Sequence, residues 1–405
     1  MGSRVQYVAG LSPGRSRTRC VICALENDSL RFLGAAETAS SGWMRERLAD
    51  PKAVSETVGQ TVREAGRRAG VTVRSCVVGL AGTEVQGVDS RGLYELGHRR
   101  EIQGDDLEYA VQKAAAEVAV PDSRIMLQVL PQDFTVDGRA GYRNPRGLRC
   151  ARLEAHAHII LAPVHEHNGL IAALHRAQLD VEETIFETVA AAYAAVLPEE
   201  RNRGVALLDI GQHSTGIVVY YGEALLHSAS ISVSADHFTR DLAWGLRVRH
   251  GLSLTYEDAE SMKREGGCAI PGLTADNSLI EVPAPDGRPQ EIPCREINEI
   301  LHARCEELFG FVEQEIRKAG MDQGLLESVL LCGGGARLTG MCDMAEATLN
   351  CQARYALPVG IEDWPVELQD PAWTGAAGLA MYSARLKLHR NIERKAPGLL
   401  GLVLR

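Results

Sequence analysis

The sequence predicts an α/β protein of two duplicated lobes around a ligand cleft, with a small α+β module inserted into the first lobe. Three observations carry that expectation. At 405 residues, 45% hydrophobic and 24% charged, the chain has a globular balance but exceeds what one core normally organises. A run of strand, turn, strand, strand and helix opens the chain and recurs from Val205. Two glycine-rich turns follow apolar strands at 209–214 and 333–335, and duplicated lobes commonly hold a ligand between them.

The first lobe reads as strands over 5–11, 19–25 and 30–37, a helix over 53–69 and a strand over 75–80. From about Gly82 to Ala162 the pattern changes to a charged helix (105–118), a strand (125–130), an Asp137-Gly138 hairpin turn and an alternating strand over 155–160. A helix (168–177), a strand (181–186) and a helix (188–196) return to the first lobe, and the polar stretch 198–202 marks the boundary. The second lobe begins with strands over 205–209, 216–221 and 224–231. The expected division is 1–82 with 163–199, then 83–162, 200–384, and a tail over 385–405.

Composition narrows the function. A formal charge of −10 argues against a general nucleic-acid binder, which gains affinity from basic side chains on phosphates. No stretch approaches the roughly 20 apolar residues of a membrane span, and the opening lacks a secretory pattern, so the chain is expected to be cytoplasmic. Ten cysteines scattered from Cys20 to Cys351 suit reduced thiols. Cys20 and Cys23 form a C-x-x-C, but a three-residue offset on a strand sends the two side chains to opposite faces. His156 and His158 share a strand face; without partners at ligand spacing they read as ordinary strand histidines.

The chemistry concentrates in two turns. Asp209 ends an apolar strand and leads into Gly211, Ser214 and Thr215, where backbone N–H groups suit phosphate oxygens and the carboxylate suits magnesium through water. Gly333, Gly334 and Gly335 follow a buried strand, enter a helix near Leu338, and let a nucleoside lie on bare backbone. Between them, Glu260 and Lys263 lie on a helix, placed for ribose or base contacts; the same pair also reads as a solvated ion pair. No G-x-x-x-x-G-K-[ST] occurs, which excludes a P-loop.

This order resembles the actin, Hsp70 and sugar-kinase superfamily, of ribonuclease H-like lobes, and within it the bacterial cell-division family FtsA. The inserted module carries the closest likeness, at Leu130-Pro131-Gln132-Asp133-Phe134, Arg143-Asn144-Pro145-Arg146-Gly147-Leu148 and Leu153-Glu154-Ala155-His156-Ala157-His158-Ile159-Ile160. The resemblance covers roughly residues 5–385. It implies ATP and magnesium as ligands, FtsZ as partner, self-association into filaments, contacts with later divisome proteins, and a place on the cytoplasmic face of the inner membrane at the division site. A PilM-like pilus adaptor and a small-molecule kinase are the alternative readings on the same fold.

The phosphate side departs from the family pattern. Its first turn, Gly10-Leu11-Ser12-Pro13-Gly14-Arg15, has Ser12 where an acid is usual, and Pro13 lacks a backbone donor. Gly14 remains a phosphate contact and Arg15 a compensating cation. Gln212 and His213 replace glycines, and Gly216 replaces an acid. The expectation is therefore a nucleotide-binding scaffold with weak or absent hydrolysis, and no residue takes a catalytic role. The tail carries Arg385, Lys387, Arg390, Arg394, Lys395 and Arg405 against Glu393, with Leu399, Leu400, Leu402, Val403 and Leu404 as apolar partners. That composition suits an anionic membrane surface; the other reading is a tail docked on its own domain.

Overall fold

The computed structural model describes residues 5–44, 47–275, 277–282, 289–321 and 324–395. The first lobe opens with the antiparallel strands β1 (Gln6–Pro13), β2 (Arg17–Glu26) and β3 (Ser29–Ala39). A short pair, β4 (Trp43–Met44) and β5 (Arg47–Leu48), precedes helix α1 (Pro51–Ala69) and strand β6 (Ser75–Leu80). Helix α1 starts where Asp50 accepts the N–H groups of Lys52 and Ala53, with Pro51 in the first turn, and stops at Gly70 (φ 67°).

The insert comprises β7 (Gln86–Glu101), α2 (Gly104–Ala116), β8 (Arg124–Val136), β9 (Arg139–Tyr142) and β10 (Arg149–Pro163). The β8–β9 turn is the expected one: Asp137 (φ 47°) and Gly138 (φ 83°) are both left-handed, and Val136 pairs with Arg139. The chain then returns through α3 (Val164–Arg176), β11 (Asp180–Phe186), α4 (Glu187–Ala195) and α5 (Pro198–Arg203). The second lobe holds β12 (Val205–Ile210), β13 (Thr215–Tyr221), β14 (Ala224–Ile231), α6 (Ala235–His250), α7 (Tyr256–Gly266), β15 (Leu279–Val282) and β16 (Gln290–Pro293). It continues with α8 (Cys294–Lys318), β17 (Ser328–Cys332), α9 (Met341–Leu349) and β18 (Gln352–Tyr355), and α10 (Thr374–Lys395) follows.

Both lobes share one strand order. The first sheet runs β3-β2-β1-β6-β11, and the second contains β14-β13-β12-β17-β18. In each, three antiparallel strands are extended by two parallel ones. This is the duplication that the repeated pattern predicts. The second sheet is covered on one face by α6, α8 and α9, and its other face joins the apolar core of the first lobe through Leu207, Val218 and Leu330.

The insert is threaded through the first lobe but hydrogen-bonded to the second. Its strands extend the second sheet beyond β14 through one backbone pair, Ala229 with Gln86. Side chains do the rest. Gln132 donates to Leu225 O (3.0 Å), Arg143 donates to Gly222 O, and His158 bridges Asp89 Oδ1 (2.7 Å) and Ser228 Oγ (2.8 Å). The residues that carried the resemblance thus knit insert and second lobe together. An ionised carboxylate only accepts, so Nδ1 of His158 donates to Asp89. Among the described residues no cluster of three or more His, Cys, Asp or Glu side chains is placed to hold a metal.

Several expectations are corrected. Strand β7 has no counterpart in the sequence reading, and the boundary stretch at 198–202 lies in the short helix α5. The triple glycine enters a 3₁₀ turn (Gly334–Arg337), and the helix begins only at Met341, after Gly340 in the left-handed region. Helix α10 returns to the first lobe, where Ala376, Ala377 and Ala380 pack with Val8 and Val21. Two cations counted in the tail are engaged there: Lys387 Nζ donates to Tyr7 O (2.6 Å) and pairs with Glu182 (3.2 Å), while Arg385 lies 5.0 Å from the Tyr193 ring centre. Leu399, Leu400, Leu402, Val403 and Leu404 lie outside the described residues. Among those described, no helix is long and apolar enough to cross a membrane. Cys20 and Cys23 point into different cores, as the offset requires.

Candidate functional site

In each sheet the parallel strands end on the side where the lobes face each other, the position at which open α/β sheets usually bind ligands. A cavity of about 550 Å³ lies there, a volume within the usual range for small-molecule sites. Its lining includes Gly14, Asp209, Gly211, Ser214, Glu260, Lys263, Gly333, Gly334 and Gly335. Residues more than 300 positions apart therefore converge as anticipated. Thr215 does not join them: it is fully buried and its hydroxyl donates to Val233 O (2.7 Å), fixing the turn.

The second-lobe turn spends some of its polar groups internally. Gly211 N–H donates to Ser214 O (2.9 Å), and the carbonyls of Gly211 and Gln212 accept from Ala235 and Asp236 at the start of α6. Gln212 and His213 do line the cavity, so their side chains occupy phosphate-side space. The three glycines divide in role. A Cβ at Gly333 would lie 2.5 Å from both Asp209 Oδ1 and Ile210 O, and one at Gly335 would lie 2.4 Å from Ile210 Cγ2. These two let the 3₁₀ turn close on β12. A Cβ at Gly334 meets nothing within 4 Å, so only this one offers open backbone.

Glu260 and Lys263 form a half-buried pair rather than a solvated one. Lys263 Nζ lies 2.6 Å from Glu260 Oε2 and donates to Thr239 Oγ1 (2.8 Å) and Ala235 O (3.2 Å); Arg264 Nε donates to Glu260 Oε1 (2.7 Å). Burial draws the Lys263 ammonium down from its ordinary value, against Glu260. Burial pushes Glu260 the other way, but Lys263, Thr239 and Arg264 together outweigh it and hold its carboxyl low. The pair is a rigid polar wall of the cavity.

Sequence reasoning missed Glu187. It follows β11 as the first residue of α4, is buried, lines the cavity, and accepts a hydrogen bond from the Ser12 hydroxyl. A Cβ at Gly79 would lie 2.8 Å from its Oε2 and one at Gly375 2.5 Å from its Oε1. The only sequence signal was an acid closing a buried strand before an alanine-rich helix. Burial chiefly raises its carboxyl, opposed by Ser12, Arg19 and Arg15. Burial first and Glu187 second push Asp209 up to about 7, opposed by Arg19 and Cys332.

The Asp209 shift predicts a pH effect. The folded carboxyl keeps its proton up to about 7 but releases it near 3.8 when unfolded. Its stabilisation is full below the unfolded value and is lost as pH rises through the folded one. Asp209→Asn is therefore expected to raise the thermal midpoint by about 3 °C near pH 8 and to flatten the profile between about pH 4 and 7. Scanning calorimetry across that range checks it; a midpoint below the parent's at alkaline pH refutes it.

Magnesium does not fit this donor set. A hydrated magnesium is normally held by one or two ionised carboxylates. Here Asp209 and Glu187 are the two lining acids without a direct ion pair, Ser12 already donates to Glu187, and burial raises both carboxyls above their ordinary values despite the opposing charge of Arg19, so neither is a freely ionised donor.

Two family models match the chain. One, the cell division protein FtsA, matches residues 206–378, and one for the SHS2 domain inserted in FtsA matches 82–161. A cell division protein FtsA from Borreliella burgdorferi is 30% identical over 391 residues, covering 96% of this chain and 93% of its own length. The chain belongs to the FtsA family. An FtsA from Pseudomonas aeruginosa is 28% identical over 93% of this chain and 89% of its own. Among solved structures, a PilM–PilN type IV pilus biogenesis complex superposes with a TM-score of 0.66 at 20% identity, over 93% of this chain and 98% of that one. MreB5 of Spiroplasma citri bound to ADP gives 0.56 at 13%, over 96% and 98%. These two likenesses establish the actin-like fold alone. The SHS2 match places the FtsA insert on β7–β10, the module whose motifs pointed to FtsA.

Proposed function

We propose that this FtsA-family chain is a cell-division adaptor. It binds FtsZ filaments, ties them to the cytoplasmic face of the inner membrane through its basic and apolar carboxyl-terminal tail, and associates with further copies of itself. An adenine nucleotide occupies the interlobe cleft with weak or no hydrolysis. The observation that carries this reading is the convergence of both glycine turns, the Glu260–Lys263 wall and the open backbone of Gly334 on one cavity, in a chain of this family. The phosphate side argues for binding over turnover: Ser12 is spent on Glu187, and Pro13 offers no donor.

Two arms test it. Co-pelleting of the purified chain with FtsZ polymers is expected, and its absence refutes the adaptor role. In liposome flotation with anionic vesicles, a chain ending at Glu393 is expected to bind at least about tenfold more weakly than the full chain, since it loses three cations and the apolar segment. Equal flotation removes the tail from the mechanism.

A further inference from the structure

The cations around the cavity are not equivalent. Six basic side chains line it, Arg15, Arg17, Arg19, Lys263, Arg264 and Arg337, against the four acids Glu37, Glu187, Asp209 and Glu260. Most of the six are committed. Arg19 pairs with Glu37 (2.7 Å), Lys263 and Arg264 pair with Glu260, and Arg337 pairs with Asp370 (2.7 Å). Arg15 is fixed in place: its guanidinium lies 4.2 Å from the Trp43 ring centre and donates to Ala81 O (2.9 Å). Arg17 differs. It opens β2, is exposed, and has neither ion pair nor side-chain hydrogen bond among the described residues.

With Arg15 and Arg17 both on the Gly14 turn, the first lobe presents one anchored and one uncommitted guanidinium where phosphate charge would collect. Burial holds the nearby carboxylate pair toward its neutral form, despite the opposing charge of Arg19. A guanidinium offers several N–H donors and permanent charge to phosphate oxygens, so no metal is needed to neutralise them.

We propose that the cleft holds the phosphates of a nucleoside triphosphate on arginine, with Arg17 as the mobile clamp and Arg15 as the fixed charge, and that this binding is independent of a divalent cation. The proposal rests on the reading of the cleft as a nucleotide pocket. It assigns Arg17 the main share of phosphate affinity, although no described residue forms an ion pair or hydrogen bond with that side chain.

The test is equilibrium binding of fluorescently labelled ATP to the full chain by anisotropy, in magnesium and in EDTA. Equal affinity in the two, within about twofold, is expected. Arg17→Glu is expected to weaken binding by about 10- to 100-fold in both, the range that losing a charge-assisted hydrogen bond implies. Because Arg17 has no ion-pair or hydrogen-bond partner among the described residues, the variant's thermal midpoint is expected to match the parent's, which separates lost binding from lost folding. Binding that collapses in EDTA overturns the proposal, and so does an unweakened Arg17→Glu chain. The absence of saturable binding under every condition has a different meaning: it removes the nucleotide reading itself, and the proposal falls with it.

Discussion

Replacing Gly334 with leucine is expected to weaken labelled-ATP binding by at least about 100-fold, or about 2.7 kcal/mol, while leaving stability within about 0.5 kcal/mol of the parent. The separation of effects comes from where the added atoms go. At Gly334 a Cβ finds no atom within 4 Å, its backbone is not in the left-handed region, and the residue lines the cavity. A leucine there enters ligand space from a Cβ that meets no protein atom. Its neighbours behave in the opposite way. Gly333 sits at φ +81°, and a Cβ there or at Gly335 would strike the Asp209–Ile210 segment at 2.4–2.5 Å, so alanine at either position is expected to destabilise the fold before any ligand is added. Binding isotherms beside urea melts of the three variants decide the matter. Full ATP affinity in folded Gly334→Leu would place the nucleoside elsewhere.

That division among three consecutive glycines was invisible in the sequence, where all three read as one ligand-facing turn. What was legible followed local rules. Strands β1–β3, β6 and β12–β14 announce themselves by apolar runs and turns, and the Asp137-Gly138 hairpin by its dipeptide. Strand β7 escaped because little of it is buried: along the strand only Gly92 and Leu96 are buried, and a Cβ at Gly92 would lie 2.0 Å from Ala114 N on α2. With Ser90 and Gly92 between Val88 and Tyr94 on that face, the period-two apolar pattern is too weak to read. Glu187 escaped for a related reason. The residues that make room for it, Ser12, Gly79 and Gly375, come from three distant parts of the chain, and an acid in the first turn of a helix has an ordinary explanation in the helix dipole. The return of α10 to the first lobe is likewise nonlocal, carried by alanines that look like those of any helix.

The helix crossing that α10 makes supplies the other large effect. Gly378→Ala is expected to destabilise the protein by about 3 kcal/mol and lower its thermal midpoint by about 3–4 °C. The sign runs against intrinsic propensity, since alanine in a helix interior is favoured over glycine by about 1 kcal/mol. What reverses it is a Cβ that would stand 1.8 Å from Ala190 O on α4, a backbone atom that can yield only if the two helices part. Gly310 in α8 is the control: a Cβ there meets nothing within 4 Å, so Gly310→Ala is expected to stabilise by up to about 1 kcal/mol. The consequence for function follows from what α4 carries. Its first residue is Glu187, packed against Gly375 one turn before Gly378 on α10. Prising the helices apart therefore shifts the carboxylate in the cleft, and at a temperature where Gly378→Ala is still folded its ATP affinity should fall too. Equal melting of Gly378→Ala and the parent in matched scans would show that the two helices do not meet as closely as this structure places them.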